Sequence, residues 1–318
     1  MSRRRVVVCG GAGFLGSVMT AALVEQGDEV IVIDGLLPES GGSEANLTHL
    51  RGAIEFIPLQ VEKVPSLTRM LTGCSVIVDC MGWTRHKAAF EQPFYDQQLN
   101  LGAHLHLIET ARRIPGARIL YIGSRGEYGK PAVKSITEET PLVPADVQSV
   151  HKAAADHLLR IYSALDNMPV LSLRIPNSYG PGQPVTGKDV GLVGEWIRTA
   201  ISGGDIVLYG TGRRRALLYS GDVAQVVASL SRLAFTGYQA YNLAGRDVEL
   251  ADLAHRIVRI AGSGAVKQEP MPHEIAVMDI GDALFDDSAL RARLGELPTA
   301  DLDAALGRTI TYFKENLQ

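Results

Sequence analysis

Residues 6–16 read Val-Val-Val-Cys-Gly-Gly-Ala-Gly-Phe-Leu-Gly, and this stretch restricts the fold more than any other. An uncharged β-branched run predicts a strand buried on both faces. Gly10 permits a tight turn after it, Gly13 lets backbone N–H groups approach a pyrophosphate, and Gly16 allows a helix to pack closely on the strand. A helix opening at Phe14 and Leu15 brings free N–H donors and partial positive charge to its N-terminus, where phosphate binds. The next apolar run ends at Asp34, whose carboxylate can accept from both ribose hydroxyls and would repel the extra phosphate of NADP. A glycine trio alone is weak evidence of a ligand. Its place after the first strand, at a helix start, with an acidic residue ending the second strand, predicts an NAD site.

The pattern continues. Short β-branched runs at 5–9, 29–33, 54–57, 76–80, 118–122 and 170–174, with almost no charge inside them, alternate with helical stretches such as 15–26 and 100–113. Strand–helix alternation of this kind predicts an α/β Rossmann fold, a doubly wound parallel sheet whose ligand crevice lies at the strand C-terminal ends. After Arg174 the texture changes: Pro176, Pro181 and Pro184 among Gly180, Gly182 and Gly187 read as an irregular loop. A helix at 190–202, a strand at 205–208 and a helix at 221–234 follow, and a late strand at 241–244 can rejoin the main sheet. The expected division is an NAD-binding domain over residues 1–175 and a smaller, interleaved α/β substrate lobe over 176–318 that closes over the crevice.

At 318 residues the chain has room for such a core, and its net charge of −4 offers no basic field for nucleic acid or an anionic membrane. No apolar run approaches the roughly 20 residues that span a bilayer. The basic start Met-Ser-Arg-Arg-Arg runs almost at once into the glycine turn, so it reads as a strand start rather than a signal peptide. Cys9, Cys74 and Cys80 lack metal-ligand spacing. Reduced thiols, a cytoplasmic setting and no metal are expected.

The glycine spacing G-G-x-G-F-x-G resembles that of the extended short-chain dehydrogenase/reductase family, whose largest branch contains NAD-dependent nucleotide-sugar epimerases and dehydratases. Ile122-Gly123-Ser124-Arg125-Gly126-Glu127-Tyr128-Gly129 is similar to its S-x-x-V-Y-G segment, and the nine residues from Arg174 to Gly182 to its R-x-x-N-x-Y-G-P-G segment. Tyr209-Gly210-Thr211-Gly212, Arg215 and Tyr219-Ser220-Gly221-Asp222-Val223 resemble G-x-G…R-x-x-x-Y-V-x-D-V, and the segment from Asp287 to Gly295 resembles a late D-x-S-x-A-R-x-x-L-G. Asn100, opening a helix, matches the family's asparagine after the fourth strand. The resemblance implies that Ser124 orients a substrate oxygen, that Lys152 binds the nicotinamide ribose, that Asn177 and Arg215 hold substrate, and that the chain forms a homodimer through the helices carrying 100–113 and 148–162. Read from the residues, Ser124 lies just beyond the fifth strand and can either donate to a ligand or cap the next turn. Arg215 can grip an oxyanion bidentately or be a solvated member of the Arg213-Arg214-Arg215 run.

The family's Y-x-x-x-K pair is broken. Lys152 is in place, but the tyrosine position holds Gln148, an amide that neither gains nor loses a proton in water. His151 is the nearest replacement: it shares the helix, has a suitable ordinary pKa, and can equally be a polar residue beside a dimer surface. Val147, Val150, Ala154, Leu158 and Ile161 are expected to form the buried stripe of that helix. Leu59-Gln60 replaces the family's Gly-Asp after the third strand, where Gln60 can still accept from the adenine amino group. His273 stands where the family often places a diphosphate-gripping arginine. Trp83, Arg85 and His86, after the fourth strand, shape a distinct pocket or cover the domain edge. The expected activity is that of an epimerase, dehydratase or oxidoreductase acting on a sugar nucleotide or related polyol. In it, hydride leaves a carbinol carbon and a neighbouring C–H becomes acidic before the hydride returns. The alternative is a non-catalytic NAD-binding regulator or scaffold on the same fold.

Overall fold

The computed structural model describes residues 3–38, 40–184, 191–273 and 284–317; Gly187, in the loop read above, lies outside them. The strands are β1 (Arg5–Cys9), β2 (Glu29–Ile33), β3 (Ile54–Ile57), β4 (Val76–Asp79), β5 (Ile119–Ser124), β6 (Ser135–Ile136) and β7 (Val170–Ile175). They continue with β8 (Asn177–Tyr179), β9 (Asp205–Tyr209), β10 (Arg214–Tyr219), β11 (Tyr238–Asn242), β12 (Arg246–Glu249), β13 (Ala265–Glu269) and β14 (Leu284–Phe285). The helices used below are α1 (Phe14–Glu25), α2 (Leu67–Leu71), α3 (His86–Glu91), α4 (Pro93–Gln97), α5 (Ala103–Ala111), α6 (Val147–Asp166), α7 (Leu192–Ile201), α8 (Ser220–Arg232) and α9 (Leu250–Ala261).

Seven strands form one parallel sheet in the order β11-β7-β5-β4-β1-β2-β3. Val6, Val7 and Val8 are fully buried, and their alternation feeds two cores. Val6 and Val8 pack with Met19 and Leu23 of α1 on one face, whereas Val7 and Cys9 pack with Leu107 and Ile108 of α5 on the other. Burying a valine on both sides of such a sheet is worth about 1.5–3 kcal/mol per side chain, which explains the uninterrupted apolar run. The strand order reverses between β1 and β4, and that switch point opens the ligand crevice.

The outer edge of the sheet is β11, parallel to β7 with Tyr238 registered on Val170; it begins three residues before the expected 241. Between β7 and β11 the chain builds most of a second sheet, β12-β10-β8, which β12 completes. Its core gathers Trp196 and Ile197 of α7, Leu217 of β10, Leu253 and Ile257 of α9, and Phe313 of the C-terminal helix Leu302–Asn316.

Two helix expectations are corrected. Asn100 does not open a helix: α4 starts at Pro93, whose fixed φ suits a first turn, and runs through a π-turn at Gln98–Gly102 into α5. Asn100 therefore sits inside a continuous helical path and is fully buried. On α6 the expected stripe faces the core only in part: Val147 and Leu158 pack half-buried against hydrophobic clusters, but Val150 is 46% and Ile161 52% exposed. The buried face carries Gln148, Ser149, Lys152, Ala153, Ala155, Asp156, Leu159 and Ser163. Hydropathy alone misplaces this helix because its inward face is used by polar groups that find partners.

Candidate active site

The turn after β1 leaves no space for side chains. Gly10 has φ +81°, and a Cβ there would stand 2.9 Å from the Cys80 carbonyl oxygen. A Cβ on Gly16 would stand 2.1 Å from the Gly10 carbonyl oxygen, and one on Gly13 3.3 Å from it. Gly13 is the N-cap of α1, and no side chain caps that helix, so the first-turn donors of Phe14, Leu15 and Gly16 are left for a ligand.

Asp34 follows β2. Its Oδ2 accepts from the Ala12 N–H at 2.9 Å and its Oδ1 from the Leu36 N–H at 2.9 Å, which leaves lone pairs for hydroxyl donors. Burial raises its pKa, and these N–H groups partly offset the rise. Gln60 packs over Gly35, where a Cβ would meet its Cγ at 2.7 Å, and its buried Oε1 has no partner among the described residues. An orphaned acceptor beside Asp34 suits an adenine amino donor. Steric cradle, uncapped helix and orphaned acceptor together fit a dinucleotide.

Ser124 is the last residue of β5 rather than a residue beyond it, registered against Ile175, two residues before Asn177. Its Oγ accepts from the Gly126 N–H at 3.1 Å, and Glu127 Oε1 accepts from the Ser124 N–H at 2.7 Å, a reciprocal cap. The cap uses the hydroxyl only as an acceptor, so its O–H can still donate to a ligand. Lys152 Nζ donates to the Ile122 carbonyl at 2.9 Å and lies 4.3 Å from the Tyr121 ring centroid. Burial lowers its pKa, and the Asp79 carboxylate pulls it back up. Gln148 is buried one turn earlier on α6.

The His151 Nδ1 lies 2.6 Å from Oδ2 of Asp96, whose side chain is fully buried. Asp96 Oδ1 accepts from Asn100 Nδ2 at 2.7 Å, and Asn100 also accepts from the Trp83 N–H at 2.9 Å and donates to the Trp83 carbonyl at 3.0 Å. Asn100 and Lys152 both approach Gly82, which is exposed; a Cβ there would lie 3.4 Å from Asn100 Oδ1 and 4.0 Å from Lys152 Nζ.

The other expected substrate residues divide. Asn177 opens β8, exposed, and registers with Leu217; Arg215 stands half-buried two residues before Leu217 on β10 and donates to the Arg214 carbonyl at 2.7 Å. Arg85 is half-buried at the N-cap of α3. Trp83 is 2% exposed, its ring edge-on to Tyr95 at 5.1 Å, so it packs a small core beside the site instead of covering an edge. His273 is exposed at the border of the described residues and joins neither group.

Sequence reasoning missed a buried polar layer beneath the site. Arg174 donates to Asp156 at 2.6 Å and to the Tyr128 hydroxyl at 2.8 Å, and its Nε lies 3.4 Å from Glu127. Burial pushes the Glu127 pKa up to about 8, with Asp156 adding to the rise and Arg174 opposing it. Asp79, at the end of β4, pairs with His104 at 2.7 Å with both side chains fully buried. The available signal was a charge inside an otherwise uncharged run, at Asp79 and at Arg174.

A glycine turn at the C-terminal end of β1, in a parallel sheet with helices on both faces and a lysine-bearing helix beside it, defines a dinucleotide-dependent enzyme. The chain belongs to the NAD-dependent epimerase/dehydratase family, whose sequence profile matches residues 6–244, and its cofactor is NAD. It is 26% identical to the UDP-glucose 4-epimerase of Mycolicibacterium smegmatis, over 99% of this chain and 100% of that one. The UDP-glucose 4-epimerase of Thermus thermophilus, solved in complex with NAD, superposes with a TM-score of 0.83 at 25% identity, covering 98% of this chain and 99% of that one. The UDP-N-acetylglucosamine 4-epimerase of Methanobrevibacter ruminantium, solved with UDP-N-acetylmuramic acid, shares the fold with a TM-score of 0.89 at 22% identity and 99% coverage of both chains. Among the described residues no helix is long and apolar enough to cross a membrane.

Proposed function

We propose that the chain interconverts or dehydrates a sugar nucleotide or related polyol through transient hydride transfer, with His151 in the proton-transfer role that Gln148 cannot fill. The observation that carries this reading is the His151–Asp96 pair at 2.6 Å, one helical turn from Gln148 and next to Lys152. Bound NAD supplies a reversible hydride acceptor beside the substrate carbinol carbon. Gly10, Gly13, Phe14, Leu15 and Gly16 hold its pyrophosphate, Asp34 the adenosine ribose, Gln60 the adenine and Lys152 the nicotinamide ribose. The Ser124 hydroxyl donates to the substrate oxygen and holds it in line. Asn177 and Arg215 bind the remainder of the substrate, with Arg85 near the sugar, the buried Trp83 backing that wall from its small core, and His273 outside it. Gln148, unable to exchange a proton, offers an amide for hydrogen bonding to the sugar.

The test is a panel of UDP- and dTDP-sugars incubated with the NAD-loaded protein and with Lys152→Met, following reduced nicotinamide by absorbance and products by chromatography. Turnover in wild type and its loss in Lys152→Met is expected. NAD binding with no turnover across the panel sinks the reading in favour of a regulator or scaffold, the alternative that Gln148 itself favours.

In this reading residues 1–175 with β11 form the cofactor domain, and 176–318 without β11 form the substrate lobe. A homodimer through α5 and α6 accompanies it. Phe90 (78% exposed), Phe94 (85%) and Leu165 (70%) lie with Val150 and Ile161 on α3, α4 and α6, an apolar surface that a second copy would cover. Sedimentation equilibrium of wild type against Val150→Glu/Ile161→Glu checks it; a monomeric wild type would refute it.

A further inference from the structure

We infer that Asp96 is a positioning residue for proton transfer, fixing the His151 ring with its proton on Nδ1 and its lone pair on Nε2. The inference rests on His151 serving as the acid/base. An ionised carboxylate can only accept, so the 2.6 Å contact from His151 Nδ1 to Asp96 Oδ2 requires that Nδ1 carry the hydrogen. In the neutral ring the basic nitrogen is then Nε2, on the side away from Asp96. The ring cannot easily choose otherwise, because the carboxylate is itself held. Its Oδ1 accepts from Asn100 Nδ2, and the Asn100 amide is spanned by both backbone groups of Trp83.

Asp96, Asn100 and Trp83 are buried, whereas the His151 side chain is 16% exposed. A buried, hydrogen-bonded carboxylate therefore backs a ring that keeps some access to solvent. Asn100 lies in the π-turn at Gln98–Gly102, four residues after Asp96 on the same helix side, and its bond to one carboxylate oxygen leaves the other to His151 of α6. Such second partners set the tautomer and orientation of a working imidazole, and the protonated ring that forms when Nε2 takes a proton is stabilised by the adjacent negative charge.

The experiment uses selectively 15N-histidine-labelled, NAD-loaded protein, with UDP-glucose and dTDP-glucose as turnover probes. In wild type the His151 nitrogens should report hydrogen on Nδ1. In Asp96→Asn the new amide N–H can donate to Nδ1, so the hydrogen should move to Nε2. That variant should lower kcat about 10²-fold or more while leaving KM and NAD affinity within about twofold. His151→Gln should cost as much, and the double variant no more than either single one.

The outcomes separate. Wild-type kcat in His151→Gln, or no turnover of either nucleotide, overturns the acid/base reading. A His151→Gln defect with normal kcat and an unmoved tautomer in Asp96→Asn overturns the role of Asp96 alone. Losses in Asp96→Asn that fall equally on NAD affinity and melting temperature, and that add to those of His151→Gln, also overturn it, leaving Asp96 a structural residue.

Discussion

The turn after β1 can offer a ligand only backbone, whereas α6 can offer it only side chains. The turn works because three positions carry no Cβ: at Gly16 a methyl would lie 2.1 Å from a carbonyl oxygen, and no neighbouring rotamer can relieve that clash. On α6 every requirement is met by an atom at the end of a side chain, and one such atom can be replaced by another if its surroundings adapt. Backbone sites are thus rigid in sequence, and side-chain sites drift. In the function proposed above, that drift is Gln148 in the place of a tyrosine, with the linked His151, Asp96 and Asn100 taking over the proton.

The contrast can be broken first at the turn. Gly16→Ala should abolish measurable NAD binding by titration calorimetry, because the backbone of Gly10 and Gly11 must shift. Gly27→Ala, with φ +84° but nothing within 4 Å of its Cβ, should leave binding intact and cost about 1 kcal/mol of stability. Equal effects at the two positions would contradict the steric account.

The next largest effect should come from Lys152→Met, which removes a buried ammonium that donates to the Ile122 carbonyl. We expect turnover to fall on the order of 10²–10⁴-fold, read by steady-state kinetics. Gln148→Tyr probes the same helix from the other side. Because Gln148 is buried, the larger ring should crowd its neighbours by about 1–3 kcal/mol and lower the rate. A gain in rate would show instead that the site still runs on the tyrosine mechanism.

A smaller effect concerns pH. Ribose hydroxyls donate more strongly to ionised Asp34 than to its acid form, and burial raises its pKa above the ordinary 3.8. NAD affinity should therefore weaken as pH falls, beginning at a higher pH than for an exposed aspartate, and Asp34→Asn should remove that dependence. The smallest is at Glu127, whose folded pKa near 8 exceeds the ordinary 4.5. A raised carboxyl pKa contributes stability that is full below the unfolded value and is lost as pH rises toward the folded one. Melting temperature should decline between pH 4.5 and about 8 from this group, and Glu127→Gln should flatten that slope.

The same contrast explains what the sequence disclosed. The parallel sheet, the glycine cradle and Asp34 were legible because they rest on period-two burial and on missing Cβ atoms, both local properties. The inward face of α6 was not: Val150 and Ile161 look like core residues, yet the buried positions hold Gln148, Lys152 and Asp156, and the partners of Lys152 and Asp156 come from β5, β7 and β11. Asp96 stayed hidden for a similar reason. Its partner is 55 residues away, and the π-turn that brings Asn100 round to it has no sequence signature.

The edge strand β11 has a consequence for biosynthesis. Until residues 238–242 leave the ribosome, β7 presents an unpaired parallel edge of buried valine and leucine to whatever is nearby. At about 5–20 residues per second that interval lasts several seconds or more, counted from Ile175. Folding of the cofactor half thus waits on a passage through the substrate half. A chain truncated before Tyr238 should aggregate during translation even though its glycine turn is complete.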